Sequence, residues 1–201
     1  MTKGRRARTD NRNPAVKIHL RRHFLQKYHG SADPPNVLDC CQGEGLLWRV
    51  LRKEFDLAGY WGVDLKPARG RLKLDSTKIL AQPGWDQNVV DIDTYGAPWK
   101  HWLAMLPHVS RPTTVFLTIG VGGPKLIKLG KEELHVMGVP EQVIGMKASG
   151  ALTHEFLDLS IQYCLAEAYN HGLTIVEARE AYEPPAMYWR TRYVGVRIEP
   201  A

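Results

Sequence analysis

A chain of 201 residues suits one well-buried domain and is short for two, and its composition, 44% hydrophobic and 24% charged, excludes collagen, coiled coil and wholesale disorder. The three cysteines, Cys40, Cys41 and Cys164, have no CxxC spacing and form no even set, which argues against a disulfide framework and against a metal knuckle. No apolar run approaches the ~20 residues of a membrane span and the basic start lacks a signal peptide's apolar stretch, so a cytoplasmic protein without a membrane partner is expected.

The net charge of +6 is unevenly placed. Residues 1–29 hold nine Lys or Arg against Asp10 alone, a local balance of +8 that leaves −2 for the rest. This is the pattern of an extension that meets a polyanion, and it divides the chain into a basic N-terminal arm and helix, 1–30, and a main domain, 31–201.

Residues 1–13 read as a disordered arm. Pro14 then opens a helix with Val16, Leu20, Phe24 and Leu25 on one side and the basic residues on the other. Asn36–Cys41 reads as a buried strand, Gly45–Phe55 as a helix with Leu47, Val50 and Leu51 inward, and Tyr60–Leu65 as a second strand. Arg71–Leu74 is a weaker strand and Asn88–Ile92 a fourth. Trp99–Leu106 is helical and Thr113–Ile119 a β-branched strand. Residues 124–152 break the rhythm with two short helical pieces and suit a substrate loop. A helix capped by Thr153 runs to Ala168 with Phe156, Leu159, Tyr163 and Ala166 on one face, and Leu173–Ala178 and Tyr188–Ile198 close the chain as a strand pair. This order predicts an α/β, Rossmann-like fold: a seven-stranded, mostly parallel sheet with a C-terminal antiparallel hairpin, which resembles the layout of class I methyltransferases, although pattern alone does not exclude other doubly wound folds and the loops must decide.

The loops carry the chemistry. Asp39-Cys40-Cys41-Gln42-Gly43-Glu44-Gly45 leaves a strand and enters a helix, with glycines at 43 and 45 that let the backbone pass close beneath a ligand. A nicotinamide fingerprint needs a third glycine where Trp48 stands, so a hydride-transfer enzyme is disfavoured. The loop resembles the S-adenosylmethionine (SAM)-binding loop of class I methyltransferases. Asp64, at the tip of the second strand, suits the ribose hydroxyls of an adenosine, and Asp75-Ser76 follows the third strand where that family contacts adenine. Asp39, Gly43, Gly45, Asp64, Asp75 and Ser76 are therefore the expected cofactor residues.

Asp91-Ile92-Asp93-Thr94-Tyr95-Gly96-Ala97-Pro98 resembles the Asp-Ile-Asp-Pro-Phe-Gly-Ser-Pro signature of the tRNA guanine exocyclic-amine dimethyltransferases. The resemblance spans about Asn36 to Gly123 and departs at Thr94, Tyr95 and Ala97; that family's large C-terminal tRNA-binding domain has no counterpart in these residues. It implies that Asp93 is the catalytic carboxylate and that Tyr95 stacks on the target base. Asp91, two residues before Asp93 and so on the same side of the strand, is a second catalytic candidate that positions SAM or the amine. A base's exocyclic amine is a poor nucleophile, and a carboxylate that accepts its N–H bonds localises the lone pair for in-line attack on a methyl group. Pro98, Arg21 and Arg22 are assigned to substrate binding.

The function expected is SAM-dependent methylation of a nucleic-acid base, at an exocyclic amine and in RNA rather than DNA. The rivals are a small-molecule or protein methyltransferase and a non-catalytic, nucleic-acid-binding relative of the fold. Trp85, Trp99 and Trp102 read as packing anchors before base-stacking platforms.

Overall fold

The computed structural model describes residues 14–66, 72–94, 96–120, 131–138, 150–182 and 191–201. The expectations for the arm 1–13, for Tyr95, for most of 124–152 and for Tyr188 fall outside the described residues.

Seven strands form one sheet in the order β3-β2-β1-β4-β5-β7-β6. They are β1 (Asn36–Asp39), β2 (Gly59–Asp64), β3 (Leu72–Lys73), β4 (Val89–Ile92), β5 (Thr113–Gly120), β6 (Leu173–Tyr182) and β7 (Thr191–Pro200). The first five pair in parallel, while β7 runs antiparallel to both β5 and β6. The predicted seven-stranded sheet with an antiparallel end is what is found. The chain travels outward from β1 to β3 and then returns to β4 on the other flank of β1. That reversal opens a crevice beyond the C-terminal ends of β1 and β4, the place where open α/β sheets receive ligands.

Alternation along each strand divides the core in two. Leu38, Val90, Val115 and Leu117 face one layer, which also holds Trp99, Trp102, Leu157 and Cys164. Val37, Val89 and Phe116 face the other, with Leu20, Phe24, Leu25, Trp48 and Leu51. The first layer is covered by α4 (Trp99–Met105) and α6 (Gly150–Asn170), the second by α1 (Pro14–Tyr28) and α2 (Leu46–Leu51). Two short α-helices, α3 (Ser76–Leu80) and α5 (Lys131–Val136), and a 3-10 turn, Leu106–His108, complete the described set, and α3 has no counterpart in the sequence reading.

Three expectations are corrected. First, α1 is an integral helix of the domain, so the division at residue 30 does not separate an appendage. Phe24 is wholly buried, and a Cβ on Gly195 of β7 would lie 2.4 Å from its ring, so the absence of a side chain there is what lets the helix seat. The basic residues are also not all on the outer side: Lys17 and Arg21 share the buried stripe with Leu20, Phe24 and Leu25. Second, α2 turns Trp48 and Leu51 inward and leaves Val50 41% exposed. Third, the inner face of α6 is Leu157, Ser160, Ile161, Cys164 and Ala168, while Leu159 and Tyr163 are 43% and 50% exposed. Weakly patterned helices let either face read as apolar, and packing of Trp102, whose Nε1 donates to the Cys164 carbonyl at 2.7 Å, selects the one that is buried. Trp99 likewise donates to Glu133 Oε1 at 2.8 Å, so both tryptophans are anchors.

Candidate active site

A cleft of 410 Å³ lies at the C-terminal ends of β1, β2 and β4, and its lining includes Asp39, Gly43, Gly45, Asp64, Asp75, Ser76, Asp91 and Asp93. The fold thus gathers eight of the predicted site residues from separate segments of the chain. Its volume falls within the usual range of ~300–1,000 Å³ for small-molecule sites.

The loop after β1 forms its floor. Cys40 N–H donates to the Asp91 carbonyl and Gln42 N–H to the Val63 carbonyl, at 2.8 and 3.0 Å, which keeps the chain bound to both neighbouring strands. Gly43 and Gly45 then take φ of 52° and 63°, left-handed conformations that favour glycine, and the turn closes through Gly45 N–H to the Gln42 carbonyl at 2.7 Å. Asp64 supports the turn, since Oδ2 accepts Gly43 N–H at 3.1 Å and Oδ1 accepts Lys66 N–H at 2.8 Å. On the far wall Asp75 caps α3 by accepting Thr77 N–H at 3.1 Å, and the Ser76 hydroxyl lies 3.0 Å from His101 Nε2. His101 also lies 3.1 Å from the Thr77 hydroxyl, and burial holds its imidazole below the ordinary histidine range.

Three carboxylates face the α1 layer. Asp39 and Asp91 are register partners on β1 and β4, and they share a face with Val37 and Val89. Asp91 is 1% exposed and wholly engaged: Arg21 donates to Oδ1 at 2.5 Å and to Oδ2 at 2.8 Å, and Trp48 Nε1 donates to Oδ2 at 2.7 Å. Burial alone would lower the Arg21 pKa, but Asp91 overrides it and raises it. Asp93 is held by Lys17 Nζ at 2.8 and 2.7 Å. Asp39 has the Tyr60 hydroxyl at 2.7 Å. Burial first, and then repulsion from Asp91, push its carboxyl up to about 8. Two cations thus serve three carboxylates.

Several predicted roles change. Arg21 is not among the residues that line the cleft: it is 1% exposed and its guanidinium is spent on Asp91. Arg22 lies on the outer side of α1 and pairs with Glu54 at 2.7 and 2.8 Å, away from the cleft lining. Pro98 is buried at the start of α4, where its carbonyl accepts from His101 and Trp102 N–H, so it shapes the loop from behind rather than from within the cleft. Asp91 buttresses the site, because a carboxylate that holds three donors in a dry layer is committed to the fold. Sequence reading missed Lys17, His101 and the anchoring role of Trp48. The signal for Lys17 was present, since positions 17, 20, 21, 24 and 28 follow one helical stripe and two of the five are basic.

A doubly wound sheet in this order, with acidic residues at the tips of β1, β2 and β4 and after β3, is the class I methyltransferase fold. No family model matches the chain, and no curated protein matches it. Among solved structures it is similar to Trm1 from Pyrococcus horikoshii in complex with S-adenosyl-L-methionine, with a TM-score of 0.64 and 14% identity over 94% of this chain. The chain spans 56% of that protein's length. It is also similar to a SAM-dependent methyltransferase from Leishmania major (TM-score 0.56, 12% identity, covering 94% of this chain and 74% of that one). The plantazolicin methyltransferase BamL, solved with a triazolic desmethylPZN analog and SAH, matches with a TM-score of 0.53 and 10% identity, covering 94% of this chain and 85% of that one. These likenesses show the fold of SAM-dependent methyltransferases.

Proposed function

We propose that this chain is a SAM-dependent methyltransferase that acts on an exocyclic amine of a nucleic-acid base, in RNA rather than DNA. The observation that carries the reading is Asp93: a carboxylate just past β4, lining the same cleft as the glycine turn and Asp64, with 19% of its side chain still exposed.

The residues present fit the cofactor. Gln42 Oε1 and Thr94 Oγ1 are shielded from solvent without a hydrogen-bond partner among the described residues, and both residues line the cleft, as a polar ligand would require. Asp64 would accept the ribose hydroxyls, Asp75 and Ser76 would meet the adenine, and the turn at Gly43 and Gly45 would pass beneath the amino-acid end. When bound, SAM supplies an electrophilic methyl group on a sulfonium. Asp93 would accept the N–H of the target amine, which localises the nitrogen lone pair and favours the positive charge that develops there.

RNA is preferred for two reasons. The Asp91–Pro98 segment resembles that of the tRNA guanine dimethyltransferases, and nearly the whole chain overlies Trm1. A second reading, methylation of a small molecule or protein, draws on the closer match in size to BamL. Incubation with methyl-labelled SAM and separate pools of RNA, DNA, protein and small molecules, followed by digestion of the nucleic acids to nucleosides, separates them. Label is expected in an RNA nucleoside, and the Asp93→Asn variant should incorporate it ~100-fold more slowly. Label confined to protein or small molecules would transfer the reading to its rival, and no SAM binding by calorimetry would end it.

A further inference from the structure

Lys17 is 4% exposed and yet lines the cleft, where its ammonium bonds both oxygens of Asp93 and lies 5.2 Å from the centre of the Tyr193 ring. A lysine seldom reaches such a position unless its charge is matched there. The match is imposed by register between a helix and a strand. Lys17 and Arg21 stand one turn apart on α1, about 6 Å along the axis. Their partners Asp93 and Asp91 stand two residues apart at the end of β4, about 6.6 Å if the chain stays extended. The fully buried Arg21–Asp91 pair and the seat of Phe24 against Gly195 hold the helix, and the helix in turn delivers Lys17.

A carboxylate offers about four lone-pair sites, two on each oxygen. Lys17 takes one on each, which orients the carboxylate plane and leaves the others for a ligand on the exposed edge of Asp93. We propose that Lys17 is a positioning residue for this reaction: it fixes the Asp93 carboxylate so that its remaining lone pairs meet the target amine, which makes α1 part of the catalytic apparatus. The inference rests on the methyltransferase reading above and adds to it a residue from outside the loops that resemble known motifs.

The test compares wild type, Lys17→Met, Lys17→Arg, Asp93→Asn and the double variant Lys17→Met/Asp93→Asn. Methyl transfer from labelled SAM to total RNA is measured, with SAM affinity from calorimetry and Tm from thermal melts. Lys17→Met is expected to lower kcat about tenfold or more at unchanged SAM affinity, in line with the cost of a misplaced reacting group. Lys17→Arg should recover most of the loss. In the Asp93→Asn background, Lys17→Met should cost nothing further, because its effect runs through that carboxylate. A merely structural lysine would lower Tm and reduce activity by the same factor in both backgrounds, and that additivity would overturn the proposal, as would full kcat in Lys17→Met. Should Lys17→Met not fold, Lys17→Gln is judged by the same two criteria. A wild type that binds SAM but methylates no RNA overturns the reading of the substrate, and the inference with it, whereas an active wild type with an active Lys17→Met overturns the inference alone.

Discussion

Arg21→Met is the sharpest perturbation of this fold. The side chains of Arg21 and Asp91 are 1% and 2% exposed, and Arg21 contributes two of the three hydrogen bonds on the Asp91 carboxylate. Methionine keeps much of the apolar packing against Phe116, whose ring centre lies 5.0 Å from the guanidinium carbon. What disappears is the charge, and Asp91 is left buried with the Trp48 N–H as its remaining donor. Breaking one side of a buried pair costs about 3–5 kcal/mol. Against a total stability of about 5–15 kcal/mol that is a large share. For a chain of this size it lowers Tm by roughly 10 °C. Urea unfolding followed by tryptophan fluorescence and far-UV circular dichroism measures it. Arg21→Met/Asp91→Asn should be more stable than Arg21→Met, because the orphaned charge is gone. Arg22→Ala, which opens the solvent-facing pair with Glu54, should leave stability nearly unchanged, because water and salt screen such a pair. A loss below ~1 kcal/mol for Arg21→Met, or a double variant no better than the single, would refute the claim that this pair locks α1 to β4.

Four further outcomes are expected. Gly195→Ala should destabilise by ~1–3 kcal/mol in chemical denaturation, because its Cβ would enter the Phe24 ring. Asp39, held up to about 8, keeps a proton in the folded state that an unfolded aspartate releases near pH 4, so its contribution to stability falls as pH rises from about 4 through about 8. Thermal melts of wild type and Asp39→Asn should therefore diverge toward pH 8 in favour of the variant, and parallel curves would contradict the assignment. Asp64→Ala should weaken SAM by ~1.5–3 kcal/mol in calorimetry, with part of that arising from the Gly43 turn that Asp64 supports. Deletion of residues 1–13 should weaken RNA binding and lower its salt slope by about 0.7 for each phosphate that the arm no longer neutralises, with SAM affinity unchanged; an identical salt slope would remove the arm from recognition.

That last expectation follows from how α1 uses its charge. Lys17, Arg21, Arg22 and Lys27 are each paired with an acid inside the domain, the last through Glu177 at 2.6 Å, so the nucleic-acid contact proposed from the +8 balance would rest on Lys3, Arg5, Arg6, Arg8 and Arg12. Glu177 shows the strength of this compensation: burial would raise its carboxyl, yet bonds from Lys27, Tyr28 and His23 bring it down to about 2.

By itself the sequence determined the order of the strands, the strand tips and the cleft acids. Strand identity follows from short runs of Val, Ile and Leu, and a ligand loop follows from glycines beside an acid, both of which are local properties of the chain. Asp39, Asp64, Asp75 and Asp93 were therefore legible from neighbours a few residues away. Only the tertiary structure decided what each charge meets. Arg21 and Asp91 are 70 residues apart in the chain and Lys17 and Asp93 are 76, so although the helical stripe marks Lys17 and Arg21, nothing local says which acid each of them meets. The same reason separates Arg21 from Arg22: adjacent in sequence and alike in chemistry, they point about 100° apart on a helix, so one is sealed against β4 while the other faces water. Helix faces were undecided for the same cause, since α2 and α6 carry apolar residues on more than one side and the face that is buried depends on what packs against it.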